Sequence, residues 1–168
     1  EPKSLDTALQ PYFSLFNDYM FFKPMQGNLF KTIPVELSRS CPYQCTYCAA
    51  PSLRKLYNNN GHSSYFRKKS ITKLFKDIGE VVRKYSPEFI YFTSECFLAI
   101  DENEFNRFID AYGKIKIPFW IQTRPETITN KRIAMLKEVG LFWLTIGIEH
   151  GNEEYRRKYL KRNVTNNK

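Results

Sequence analysis

The chain reads as α/β, a partial TIM-type (βα) barrel built from four βα units. Three observations predict this. Short runs of β-branched and aromatic residues alternate, four times over, with longer stretches whose apolar residues recur at helical spacing. The later strands lie about 25–30 residues apart, the size of a βαβ unit. A cysteine-dense loop directly follows the first strand, at the strand end where such barrels carry their chemistry. Right-handed crossovers then lay the strands parallel, in sequence order, with the helices on one face.

Residues 1–29 read as an irregular, aromatic-rich lead-in or linker, and the core domain as 30–168. Phe13, Phe16, Tyr19, Phe21 and Phe22 crowd a stretch broken by Pro2, Pro11, Pro24 and Gly27. Such a segment cannot make its own core and is expected to lay aromatics on the domain behind it. Residues 31–37 alternate apolar and polar and form the first strand, with Pro34 marking an edge or a strand start. After the cysteines a long loop is expected from Ala49 to about Lys69, with Asn58, Asn59, Asn60 and Gly61 at its tip. Ser70 N-caps a helix whose Ile71, Leu74, Phe75, Ile78, Val81 and Val82 make one buried face. Pro87 closes that connection, and Phe89–Thr93 is the second strand. Asp101 and Glu104 resemble a capping box before the stripe Phe105, Phe108, Ile109, Tyr112. The third strand is 118–122. Thr129 caps a third helix that Gly140 ends, 141–148 is the fourth strand, and Asn152 opens a last helix.

Composition narrows the class. The 168 residues suffice for one domain with a real core, and 42% hydrophobic with 26% charged content is globular. No apolar run approaches the ~20 residues of a membrane span, and no secretory signal is visible. Four cysteines, three of them crowded together, argue against disulfides and for a reducing cytoplasm. The net charge of +9 admits a nucleic-acid partner without favouring one. The cations are scattered apart from Arg67-Lys68-Lys69 and Arg156-Arg157-Lys158 with Lys161-Arg162; the second run is read as a solvated helix face.

The chemistry centres on Cys41-Pro42-Tyr43-Gln44-Cys45-Thr46-Tyr47-Cys48, a C-x3-C-x2-C loop. Soft thiolates at this density hold zinc or an iron–sulfur cluster. Zinc wants four ligands, usually from a second C-x2-C pair or from histidines, yet no such pair is present and the histidines are His62 and His150 alone. A cubane held by three thiolates leaves one iron free for a small molecule.

This loop closely resembles that of the radical S-adenosylmethionine (radical SAM) enzymes, and the resemblance extends from about Phe30 to Asn163. It implies a [4Fe-4S] cluster on Cys41, Cys45 and Cys48, with S-adenosylmethionine on the open iron. It also implies reductive cleavage to a 5'-deoxyadenosyl radical and an electron donor such as a flavodoxin or ferredoxin. Tyr47 matches the aromatic that lies against the adenine. Thr93-Ser94-Glu95-Cys96 stands where the family often has a Gly-Gly-Glu element, so Ser94 and Glu95 are candidates for the methionyl amino group, although the glycines are absent. Cys96 is read as a small buried residue. Gln122 and Arg124 end the third strand in a polar cluster, where a guanidinium suits a carboxylate or simply pairs with Glu126. Gly147-Ile148-Glu149-His150-Gly151 resembles the Gly-Ile-Glu-Ser-Gly element of the cobalamin-associated branch, with Glu149 on the cofactor's ribose or amino group and His150 in place of serine. Cobalamin itself would enter through an upstream domain that this sequence lacks. The family's barrel usually has six βα units, so the chain is expected to be a fragment or truncated version of a longer enzyme, and one that can be inactive alone. Two rivals stand beside this reading: a methyl or methylthio transferase acting on tRNA, and a non-catalytic metal-bearing module. The substrate is unknown.

Overall fold

In the computed structural model, which describes residues 4–59 and 64–167, the strands are β1 (Phe22–Met25), β2 (Asn28–Glu36), β3 (Ser38–Arg39), β4 (Arg67–Lys68), β5 (Phe89–Thr93), β6 (Phe119–Thr123) and β7 (Leu141–Ile146). The helices are α1 (Ala50–Asn59), α2 (Ile71–Tyr85), α3 (Glu102–Tyr112), α4 (Asn130–Glu138) and α5 (Glu153–Tyr159). The main sheet runs β1-β2-β5-β6-β7. Its last four strands are parallel and in sequence order, as expected of consecutive βα units. The result is a curled half-barrel.

Strand alternation sorts the side chains onto two faces. Val35, Ile90, Phe92 and Ile121 point outward into a core shared with α2, α3 and α4, where Leu74, Ile78, Phe105, Phe108 and Leu136 meet them. Phe92 is edge-on to Phe108, Tyr112 and Phe119 at 5.6, 5.8 and 5.6 Å between centroids. Each phenylalanine buried this way contributes about 1.5–3 kcal/mol. The concave face carries a layer formed in register by Pro34, Tyr91, Trp120 and Trp143. Its rings stack at 4.4 Å (Tyr91–Trp120) and 5.8 Å (Trp120–Trp143). Two residues further along, about 6.6 Å toward the strand C-termini, Thr93, Gln122 and Thr145 replace them with polar groups. The face thus turns from apolar to polar where the chemistry is expected.

The caps are those the sequence announces. Ser70 Oγ accepts from Lys73 N at 3.1 Å, Thr129 Oγ1 from Arg132 N at 3.1 Å, and Asn152 Oδ1 from Tyr155 N at 2.8 Å. Both halves of the Asp101–Glu104 capping box are present. Gly140 adopts φ +114°, and a Cβ there would sit 3.3 Å from the Ile117 carbonyl, so the turn into β7 requires glycine.

Several expectations need correction. Of the expected irregular lead-in 1–29, residues 4–29 are not irregular throughout: they form three short 3-10 turns, and β1 pairs antiparallel with the start of β2 around Gln26 and Gly27. The aromatic anchoring occurs in part, through Phe13 and Phe21 against Ile33 and Val81, whereas Phe16, Tyr19 and Phe22 are exposed. The expected loop from Ala49 to Lys69 contains α1 and β4, the latter paired with β3; of its tip, Asn60 and Gly61 lie outside the described residues, as does His62. The third strand is shifted by one residue and the fourth ends at Ile146. The second basic run is a solvated face only in part: Arg157, Lys158 and Lys161 are exposed, whereas Arg156 and Arg162 are buried, as are Arg67 and Lys69 of the first run. Lys69 and Lys73 converge on the fully buried Asp77, at 2.7 and 2.5 Å. Pro34 lies inside β2, where pairing runs to β5 on one side, consistent with its missing N–H.

Candidate functional site

The C-terminal ends of β5, β6 and β7 and the cysteine loop enclose a cavity of about 470 Å³. Cys41, Cys45 and Cys48 all line it, together with Tyr47, Glu95, Gln122, Arg124 and Glu149. Of the expected site residues only Ser94 stays out: it is buried, and its hydroxyl bonds to that of Ser38. Cys96 also stays out, buried at 3.3 Å from Thr123 Oγ1. His150 is exposed, stacks on Tyr155 at 4.3 Å and accepts from Asn152 N at 3.0 Å. That is a helix-cap role.

Backbone contacts shape the loop from both sides. Arg54 on α1 donates to the carbonyls of Cys41 and Tyr43, at 2.5 and 3.1 Å. The N-terminus of α1 points at the loop, and Ala50 N donates to Cys48 Sγ at 3.4 Å. Burial pushes the Cys41 thiol above its ordinary value, against a hydrogen bond from Tyr43 N that lowers it, so metal loading must displace its proton. Among the described residues, no three or more His, Cys, Asp or Glu are set to hold a metal ion. A mononuclear ion needs convergent donors, whereas a cubane takes each thiolate on a different iron. Three thiols lining one cavity are a donor set that fits a cluster.

A charged strut ties the loop to the strand ends; its Arg124–Glu126 pair is one of the two alternatives expected of Arg124, whereas Arg162 carried no site expectation. Arg124 donates to Glu126 at 2.5 and 3.2 Å, and its Nη1 lies 3.3 Å from Cys45 Sγ. Its guanidinium covers the Tyr43 ring at 3.8 Å. The carboxylate that Arg124 holds is thus Glu126. Arg162, beyond α5 and 2% exposed, donates to Tyr47 Oη at 2.9 Å, to Glu149 Oε1 at 3.2 Å, to the Gly147 carbonyl at 2.8 Å and to both oxygens of Glu126 at 3.3 and 3.4 Å. Thr46 adds a bond from its N–H to the Leu160 carbonyl at 3.4 Å and one from its hydroxyl to the Tyr159 carbonyl. Burial pushes the Glu126 carboxyl up, but hydrogen bonds from Arg124, its own backbone and Arg162 outweigh it and hold the group at about 2. Burial raises the Tyr47 phenol to about 12 despite the Arg162 hydrogen bond that lowers it. At Gly147 a Cβ would fall 2.5 Å from Glu149 Oε1, so glycine leaves room for that carboxylate. Glu149 itself stands at φ +71°. For Arg162 the sequence signal is a basic run after a short helix, which looks like any solvated run.

A parallel half-barrel with a three-thiol loop at its C-terminal mouth defines a class of cluster-bearing barrels. The radical SAM superfamily model matches residues 35–168, and the chain belongs to that superfamily. Among solved structures, the fold is similar to that of the radical S-adenosylmethionine methyltransferase TsrM from Kitasatospora setae. With cobalamin and a [4Fe-4S] cluster bound, that protein matches at TM-score 0.60 and 11% identity, over 75% of this chain and 22% of that one. With tryptophan substrate and the analogue aza-SAM bound, it matches at 0.61 and 11%, over 76% and 24%. The likeness is one of fold, and the chain spans less than a quarter of the length of TsrM. No curated protein matches the chain. Among the described residues no helix is long and apolar enough to cross a membrane.

Proposed function

We propose that the chain is the cluster- and cofactor-binding core of a radical SAM enzyme, with residues 30–168 as that core and 1–29 as its lead-in. The observation that carries this is the convergence of Cys41, Cys45 and Cys48 with Glu95, Gln122 and Glu149 on one cavity of about 470 Å³. Cys41, Cys45 and Cys48 would hold the cluster, which supplies one electron to S-adenosylmethionine and yields methionine and a deoxyadenosyl radical. The chain's own part is positioning and exclusion of water. Glu95 and Glu149 accept hydrogen bonds from the cofactor's ammonium or ribose hydroxyls. Gln122 lines the wall between them, and Tyr47 offers a ring face to the adenine. Arg162 fixes Tyr47 and Glu149 together, so the loop and the strand ends present one pocket.

Anaerobic reconstitution tests the reading. About four irons and four sulfides per chain are expected. Cys41→Ala, Cys45→Ala and Cys48→Ala should each lose them, while Cys96→Ala keeps them. Reduction with S-adenosylmethionine should release 5'-deoxyadenosine. Zinc without sulfide would overturn the reading in favour of a binding module.

A cobalamin-dependent methyl transfer is a second reading, favoured by the fold likeness to TsrM, whose structure holds cobalamin. A tRNA substrate has less support: Arg67, Lys69, Arg124, Arg156 and Arg162 are buried and so are withdrawn from any phosphate contact.

A further inference from the structure

We infer that Arg124 and Glu126 are a counterpoised charge pair that sets the reduction potential of the cluster on Cys41, Cys45 and Cys48. The inference rests on the cluster reading above. Arg124 follows β6 directly, and its guanidinium is fixed on three sides. Glu126 grips Nε and Nη2 at 3.2 and 2.5 Å, Tyr43 covers the plane at 3.8 Å, and the remaining nitrogen, Nη1, faces Cys45 Sγ at 3.3 Å. Arg124 and Cys45 are both 8% exposed, so salt screens this contact little. The geometry leaves Arg124 no free fork for a cofactor carboxylate and directs its last donor at a ligand sulfur.

Reduction brings one electron from an external reductant into the cluster and takes up no proton. The added negative charge is stabilised by a cation and an N–H on the sulfur, and opposed by a carboxylate behind them. Arg124 therefore raises the potential and Glu126 lowers it. Arginine keeps its charge in proteins, so Arg124 and Arg162 both stay cationic. Arg124, Glu126, Arg162 and Glu149 sum to zero charge, so removing Arg124 leaves the strut net negative and removing Glu126 leaves it net positive. Arg162 still faces Glu126 at 3.3 Å when Arg124 is gone, so the carboxylate is not orphaned. Arg124 and Glu126 are positioning residues: they act on the electron's destination through Cys45.

The test is a redox titration, followed by electron paramagnetic resonance, of the reconstituted chain without S-adenosylmethionine. Iron and sulfide content is measured first. Arg124→Gln should lower the midpoint, Glu126→Gln should raise it, and Arg124→Lys should fall between wild type and Arg124→Gln. A structural role alone would not move the two charge-removing variants in opposite directions. Midpoints unchanged, or moved the same way, overturn the inference while leaving the cluster reading intact. If Arg124→Gln does not retain iron, Glu126→Gln decides alone, and a midpoint at or below wild type overturns it. A wild-type chain that takes up no iron and sulfide removes the cluster reading, and this inference with it.

Discussion

Replacing Arg162 by methionine isolates the strut, because methionine keeps an apolar stem of similar length and removes only the guanidinium. The side chain is 2% exposed and makes bonds to a phenol, a backbone carbonyl and two carboxylates. Removing one partner of a buried ion pair costs about 3–5 kcal/mol when a charge is left alone. Here Glu126 keeps Arg124 at 2.5 Å, and Glu149 is a third exposed and regains water. The penalty therefore comes mainly from the Gly147 carbonyl and the Tyr47 phenol, whose bonds from a charged donor are worth roughly 1.5 kcal/mol each. The total is about 3 kcal/mol, which for a domain of this size lowers the melting temperature by roughly 6–12 °C. Thermal unfolding followed by circular dichroism measures it against Arg157→Met, an exposed neighbour on α5 expected to stay within about 0.5 kcal/mol of wild type. Equal melting temperatures for the two variants would refute the strut.

Other consequences follow from the same geometry. Gly147→Ala places a methyl 2.5 Å from Glu149 Oε1 and must swing that carboxylate away; cofactor titration of the reconstituted chain should then show about tenfold weaker binding, the loss of one charge-assisted bond. The Glu126 carboxyl is depressed in the fold to about 2 from an ordinary 4.5. Its stabilisation is therefore complete above the unfolded value and lost as pH falls from there toward the folded one. Acid titration of unfolding should show that limb in wild type and a flatter one in Glu126→Gln. β7 is an outer strand with Phe142, Trp143 and Ile146 exposed; sedimentation should show self-association of the chain, reduced by Ile146→Lys.

The half-barrel was legible because its signals are local. Ser70, Asp101 and Thr129 announce helix starts through bonds within three residues, and β5 is a run of apolar and β-branched residues shortly after Pro87. Cys41, Cys45 and Cys48 could be read because their spacing is itself the chemistry. What is not legible in the sequence depends on distant partners. Helix α1 buries none of its residues, so no core-facing stripe betrays it, and its asparagine-rich end reads as a loop. Strand β1 contains Pro24 and is held by pairing with β2. Ser94 was expected in the pocket, but Ser38 on a separate sheet captures its hydroxyl. Arg156 and Arg162 look like surface cations until the carbonyls of His150 and Gly147 are brought over them.

The strut also imposes an order of events as the chain is made. Tyr47 and Arg162 stand 115 residues apart, and Thr46 and Tyr159 stand 113 apart. The cysteine loop is among the earlier segments to be synthesised, yet its last anchors arrive after four further strands. Contacts of such separation form late, because the chain entropy of closing the intervening loop must be met first. A nascent chain therefore presents its three thiols on a loop held first by α1 and then by Arg124, and the loop gains its last anchor when residue 162 docks. Iron delivered before that moment meets an accessible, adjustable ligand set; iron delivered afterwards must enter a pocket already closed from behind.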